Sequence, residues 1–510
     1  MKDSKSFNII FILVIIALVF FFYVSIATAC RGSFNFKLDY KGYYSLLSYS
    51  LTRGHTYLPI YPNPEFLSLD DPYDPVANFN YRVYGGVHDL SLYNDRFYMY
   101  FGITPAFVLY VPYMLLVGKG LPDNFAVFLF SFFGFLFSLL LLIYIKNKYF
   151  NNFSSTLFCI SIILLAVGNM TPWLMERPQF YEVAISCGFC FLMGAIYFLS
   201  LSFSKKSLRW FLYFLGSLFL GLAVGARPHF IIPGGILVLF LLIKILIDSE
   251  INKSRKINLI VLLLAPFVFC ILALAYYNYI RFDNPFEFGM TYQLSGHRFP
   301  KILSFDTFFA NIYLYLFHDF EISTLFPFIY PTKPDFPDFL NVPDYYSSGH
   351  IDKLVGIAWL IPFLIMIFIS PFILLIGLTF KYFFNPNKKL EIKTPGFEFW
   401  ILFISAISVF SVLNLWGAVM VRFMADFAAL FIILSLFLWF YSISLFQKES
   451  LSRLFLTQTG AILMIISITF CTAFAFQGEH GGIRTRNPNQ FIKLSAVTRP
   501  ISFIVYKLIM

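Results

Sequence analysis

The chain has 510 residues, 59% hydrophobic and 13% charged, with a formal net charge of +10. A soluble domain is about 45–50% apolar and about 25% charged, so this composition indicates a polytopic membrane protein. The cations occur in short clusters rather than one basic tract, which marks membrane topology and excludes a nucleic-acid surface.

The first apolar run, 7–29, exceeds the core of a secretory signal of about 7–15 residues and suits a span of about 20, so it reads as a retained first helix. Further runs of spanning length lie near 124–145, 153–170, 179–203, 209–226, 229–247, 257–280, 352–380, 397–415, 423–446 and 454–476. Residues 101–118 are also apolar but broken by Pro105 and Pro112 and bounded by Gly102 and Gly118. Short basic loops favour the cytoplasm. If 101–118 is an interfacial or re-entrant helix, the clusters Lys2/Lys5, Lys146/Lys148, Lys205/Lys206/Arg209, Lys253/Arg255/Lys256, Lys381/Lys388/Lys389/Lys393 and Lys448/Arg453 all fall inside. The expectation is therefore an all-α polytopic protein of about eleven transmembrane helices. Residues 1–476 form the membrane domain, with a long first outer loop at 30–123 and a second at 281–351, and 477–510 form a basic, half-apolar outer tail.

In the first outer loop Tyr40, Tyr43, Tyr44, Leu47 and Leu51 recur at helical spacing and stop before Gly54, which predicts an amphipathic interfacial helix. Asp39 precedes it, and either N-capping or catalysis accounts for an aspartate there. Further on, Asn94-Asp95 predicts a turn, and Arg96, Tyr98 and Tyr100 alternate with Phe97, Met99 and Phe101 as in a short strand. Cys187 and Cys190 form a C-x-x-C inside an apolar helix, which reads as packing rather than redox chemistry.

Several stretches, taken in order, resemble the GT-C superfamily of polytopic glycosyltransferases, including bacterial protein mannosyltransferases and aminoarabinose transferases. They are the outer Asp39 ahead of Tyr43-Tyr44, the run Asn94-Asp95-Arg96-Phe97-Tyr98, the segment GLAVGARPHFIIPG at 221–234, YYNYIRFDNPFEFG at 276–289 and WGAVMVRFMADFAALFIIL at 416–434. The Gly between Asp95 and Arg96 and the double Pro of the usual family form are absent. The resemblance implies transfer of a sugar from a polyprenyl-phosphate donor to a lipid or glycan acceptor, with inversion. The setting it implies is the outer face of a bacterial cytoplasmic membrane, among membrane lipids. It places the general base on Asp39. Arg227, His229, Arg281 and Arg422, at outer helix ends in this topology, become candidates for holding the donor phosphate, to which arginine is well shaped. Tyr43, Tyr44, Asp95, Arg96, Arg177 and Glu182 become candidates for substrate contact. Glu182 near the start of a span is a functional candidate by depth alone, though it is equally placed to pair with Arg177. No metal-ligand motif stands out; some superfamily members use a divalent cation, so the cofactor stays open. A transporter or flippase of a lipid-linked glycan is the alternative, but no internal repeat is visible and the charges gather at one face.

Overall fold

The computed structural model describes residues 2–36, 42–100, 102–151, 153–296, 303–340, 352–384, 395–447 and 449–509, with Val342 and Tyr346. Asp39 and the cations Lys388, Lys389 and Lys393 lie outside the described residues.

The protein is a helical bundle. Among the described residues nine helices are long and apolar enough to cross a membrane. Their labels are α1 (Lys2–Ala27), α4 (Asp123–Tyr149), α7 (Phe180–Leu201), α8 (Arg209–Ala226), α9 (Ile231–Ile247), α10 (Lys253–Phe282), α12 (Phe397–Asn414), α13 (Ala428–Leu445) and α14 (Leu451–Gln477). Between them lie α2 (Tyr43–Leu51), α3 (the apolar helix Ala106–Val117), α5 (Ser155–Gly168), α6 (Thr171–Glu176) and α11 (Met366–Phe384). The tail folds as α15 (Gly482–Arg486), α16 (Pro488–Val497) and α17 (Arg499–Ile509). These helices and their apolar outer surfaces make the chain an integral membrane protein. Two of the eleven expected spans are not among the nine: the one near 153–170 is the 14-residue α5, and the one near 352–380 is broken into a short helix at Ile357–Leu360, a 3-10 turn at Pro362–Ile365 and α11. α3 starts with a π turn at Ala106–Tyr110 and stops at Gly118, whose φ of 72° caps the helix in the left-handed region. Its twelve residues rise about 18 Å, short of the roughly 30 Å hydrocarbon core.

The most hydrophobic stretches of α7 and α13 are each 83% buried, against 22% for α1 and 28% for α10, so the first pair forms the centre and the second faces lipid. A hydrogen-bond splice repairs the one interior break in α10. Pro266 has no N–H to donate, and next to it Ser217 of α8 donates to the Leu263 carbonyl at 2.5 Å and accepts from the Phe267 N–H at 3.1 Å. Hydrocarbon offers no water to repair such a break, so a neighbouring helix does it.

Successive helices alternate in direction, which gives the bundle two chemically different ends. One end collects the basic clusters: Lys148 pairs with Glu398, Lys206 with Glu250 at 3.3 Å, and Arg255 donates to the Lys206 carbonyl at 3.3 Å. The other end collects the C-termini of α1, α8 and α10, the N-termini of α4, α7 and α13, and both long loops. The first loop contains α2 and an antiparallel hairpin of β1 (Leu90–Tyr93) and β2 (Arg96–Met99). Asn94 and Asp95, with φ of 46° and 56°, form its two-residue turn, the primed geometry that suits the twist of a hairpin.

One expectation for this loop is corrected. The N-cap of α2 is Gly42, not Asp39. A Cβ on Gly42 would come within 2.8 Å of the Asp123 carboxylate, so any larger residue there would push that carboxylate aside.

Candidate functional site

Arg227 ends α8. Pro228 follows it, and a residue before proline is pushed from helical to extended geometry. Arg227 accordingly lies at φ −138°, ψ 99°. Its neighbourhood is cleared by glycines. A Cβ at Gly188 of α7 would sit 3.0 Å from Arg227 Cγ, and one at Gly102 would lie 2.1 Å from the Gly225 carbonyl oxygen. The second contact brings the first outer loop directly onto the turn that presents Arg227.

Arg422 comes from the 3-10 turn Val421–Asp426 between α12 and α13. The same turn supplies Asp426, which accepts from Arg227 Nη2 at 2.7 Å. His229 Nε2 stands 3.4 Å from the same carboxylate oxygen, at ion-pair distance without hydrogen-bond geometry. The ring of Phe423 joins the two arginines, with guanidinium carbons 4.8 Å (Arg227) and 5.8 Å (Arg422) from its centroid.

Glu479 approaches from just beyond α14. Its Oε1 lies 2.7 Å from Arg177 Nη1 and 3.2 Å from Arg422 Nη1. Burial lowers the proton affinity of the Arg422 guanidinium, but the charges of Glu479 and Glu182 outweigh that and raise it. Tyr181 presents its ring to Arg422 at 4.7 Å and to Arg177 at 5.4 Å, while its hydroxyl donates to Asp89. Asp89 holds φ at 60°, a conformation that costs a non-glycine residue energy. Tyr43 donates to the carbonyls of Gly86 and His88 at 2.9 and 3.1 Å, tying α2 to this segment. Burial and the nearby Asp89 push the Tyr43 hydroxyl up to about 12. A continuous polar chain therefore runs from α2 through Asp89, Tyr181 and the Arg177–Glu479–Arg422 bridge to Phe423, Arg227, Asp426 and His229.

Many atoms in this chain are buried without a hydrogen-bond partner among the described residues: Nε of Arg177, Arg227 and Arg422, Nε2 of His229, Oε1 of Glu182 and Oδ1 of Asp426. Buried polar atoms are ordinarily satisfied, and each orphan costs about 1–3 kcal/mol. Six orphans in one place fit a surface built to bind something charged.

The structure thus gathers Arg177, Glu182, Arg227, His229 and Arg422. Glu182 does not pair with Arg177; its Oε2 accepts from the Gln179 N–H at 3.2 Å, closing the first turn of α7, while Arg177 is held by Glu479. Tyr44 lies under the cluster. It donates to the Gly102 carbonyl at 3.0 Å and stacks on Tyr110 at 5.3 Å, and Tyr110 donates to Asp123 at 2.5 Å. Arg281 is used differently: it donates to the Met99 carbonyl and to Asn278, between the rings of Tyr277 and Phe282, and so holds the hairpin in place. Asp95 and Arg96 sit at the exposed hairpin tip, with Arg96 stacked on Tyr57 at 4.2 Å. Asp39 is outside the described residues, but the segments flanking it are both held at the start of α4: Phe36 packs on Phe125 at 5.1 Å, and Gly42 faces Asp123. Sequence reasoning missed Asp89, Asp426 and Glu479. Two signals were present: Asp426 follows Arg422 by one helical turn, and Glu479 stands in a glycine-rich break directly after a span. Among the described residues no three His, Cys, Asp or Glu side chains converge as metal ligands would.

No protein-family model matches the chain, and no curated protein matches it significantly. Among solved structures, the archaeal oligosaccharyltransferase AglB from Archaeoglobus fulgidus, in complex with an inhibitory peptide and a dolichol-phosphate, is similar at 13% identity with a TM-score of 0.43. The similarity covers 93% of this chain and 56% of that one, so the chain spans little more than half the length of that protein.

Proposed function

We propose that the protein is a GT-C-type glycosyltransferase that moves a sugar from a polyprenyl-phosphate donor to a lipid or glycan acceptor. The observation that carries this reading is the buried arginine cluster with its unpartnered Nε atoms, at the end of the bundle opposite the basic clusters. By the positive-inside tendency that end is the outer face, where an anionic lipid head would meet it. The ordered resemblance of the outer-loop and helix-end motifs to the superfamily supplies the reaction type.

In the reaction, the acceptor oxygen attacks the anomeric carbon from the face opposite the phosphate and gives its proton to Asp39. The bond from the anomeric carbon to the phosphate oxygen breaks, and its electrons leave with the phosphate, so configuration inverts. Arg227 and Arg422 stabilise the departing phosphate, with His229 and Arg177 beside them; guanidinium donors held in place act most strongly where charge develops. Tyr43 and Tyr44 position the loop that carries Asp39, Glu182 stands beside the arginine cluster as an acceptor contact, and Arg281 acts through the hairpin that presents Asp95 and Arg96.

The test is transfer by the purified protein in nanodiscs, using a panel of radiolabelled polyprenyl-phosphate sugars. The wild type labels an acceptor lipid or glycan. Asp39→Asn lowers the rate by about 10²–10⁴, the usual contribution of a general base, without loss of folded protein. Transfer retained in that variant removes Asp39 from the mechanism, and translocation of a lipid-linked glycan without transfer replaces the reading by a transporter.

A further inference from the structure

Arg177 and Arg422 are bridged by a carboxylate that belongs to the protein itself. Glu479 sits in the sequence Gln477-Gly478-Glu479-His480-Gly481-Gly482, where the three glycines have φ of 54°, 94° and 46°. The loop is closely fitted. A Cβ on Gly478 would lie 2.7 Å from the Glu176 Cβ, and one on Gly482 would lie 2.5 Å from the Gln477 carbonyl oxygen. The next turn is fastened by Arg486, whose Nη1 reaches Met175 O at 3.0 Å and Glu176 Oε2 at 3.2 Å while Nη2 reaches Ala27 O at 2.8 Å. Both the glycine turn and the Arg486 anchor therefore serve to deliver Glu479 to the two guanidiniums.

Resting on the donor-phosphate reading above, we propose that Glu479 is a resident counter-anion that competes with the phosphate of the donor and of the prenyl-phosphate product for Arg177 and Arg422. Oε1 takes a donor from each arginine, and Oε2 lies 3.3 Å from Arg422 Nη1. The carboxylate thus occupies one Nη1 donor on each guanidinium, donors that a phosphate oxygen would otherwise take. The carboxylate keeps the arginines aligned between turnovers, and it returns to them as the product leaves, which speeds release. The Glu479 side chain is 17% exposed, so it sits at the rim of the cluster with room to yield.

The experiment measures binding of farnesyl phosphate to the full-length protein in nanodiscs by calorimetry, with thermal unfolding recorded for every variant. Glu479→Gln, which removes the competing charge, is expected to tighten binding by roughly tenfold, the scale of one charge-assisted hydrogen bond. Inhibition of transfer by added farnesyl phosphate is expected to strengthen by the same factor. Glu479→Asp keeps the charge, shortens its reach by one methylene and tightens binding by a smaller factor; it carries the test if the Gln variant fails to fold. Equal or weaker binding in the folded variants overturns the competition and leaves the donor reading standing. Absence of farnesyl phosphate binding by wild type and variants alike overturns both.

Discussion

Both ends of the bundle bury charge, but they treat it in opposite ways. At the basic end the Glu398 carboxylate is closed off on both oxygens: Tyr149 donates to Oε2 at 2.7 Å, and Oε1 takes Tyr144 at 2.7 Å together with the Lys148 ion pair. At the other end three arginines, a histidine and two acids keep unpartnered polar atoms, although the arginines and Asp426 are ion-paired. A saturated buried carboxylate ties helices together. An unsaturated cluster costs stability, and such a cost is characteristic of sites kept for binding.

The comparison breaks if the two ends respond alike to substitution. The largest effect is expected at the open end. Arg227→Met combined with Asp426→Asn removes the pair without stranding either charge, and transfer should fall by about 10²–10³ while the melting temperature barely moves, because replacing a whole buried pair is often neutral for stability. A double variant that keeps full activity would mean the cluster is only structural. At the closed end Glu398→Gln should do the reverse. It should destabilise the protein by about 2 kcal/mol, discounted because Lys148 is a third exposed and can rehydrate, and leave activity per folded molecule unchanged.

The smallest effect is a pH dependence. Glu176, at the C-terminus of α6, is pushed up to about 7 by burial, against the opposing pull of Arg486. An acid whose folded value lies above its unfolded one stabilises the protein fully below the unfolded value, near 4.5, and loses that contribution as pH rises through about 7. Wild-type melting temperature should therefore decline across that window, and Glu176→Gln should flatten the decline. An identical slope in the two proteins would show that Glu176 does not titrate there.

Much of the architecture was legible because hydropathy and charge are encoded locally. Apolar runs located nine of the eleven expected spans, and Asn94-Asp95 marked the turn of the hairpin. The Arg227-Pro228 pair marked a helix end because proline constrains the residue before it. The pairing of charges was not legible. Arg422 and Glu479 are 57 residues apart, and Arg227 and Asp426 are 199 apart, so their meeting depends on which helices pack together, and no local pattern records that. Arg281 shows the same limit: its position at a helix end suggested a phosphate contact, and only the packed hairpin shows two of its donors engaged by Met99 and Asn278 while its Nε stays buried and unpartnered among the described residues. The start of α2 was misjudged because its N-cap, Gly42, carries no side chain to announce it.

The fastening of Arg486 onto Ala27, Met175 and Glu176 bears on biogenesis. A ribosome threading this chain into the bilayer makes Arg177, Arg227 and Arg422 well before it makes the residue that clasps the first and sixth helices together. Until the loop before that clasp is made, Arg177 and Arg422 lack the Glu479 carboxylate that bridges them, whereas Arg227 already has Asp426. Quality control that recognises unassembled membrane proteins would have a ready mark for chains stopped short of residue 486.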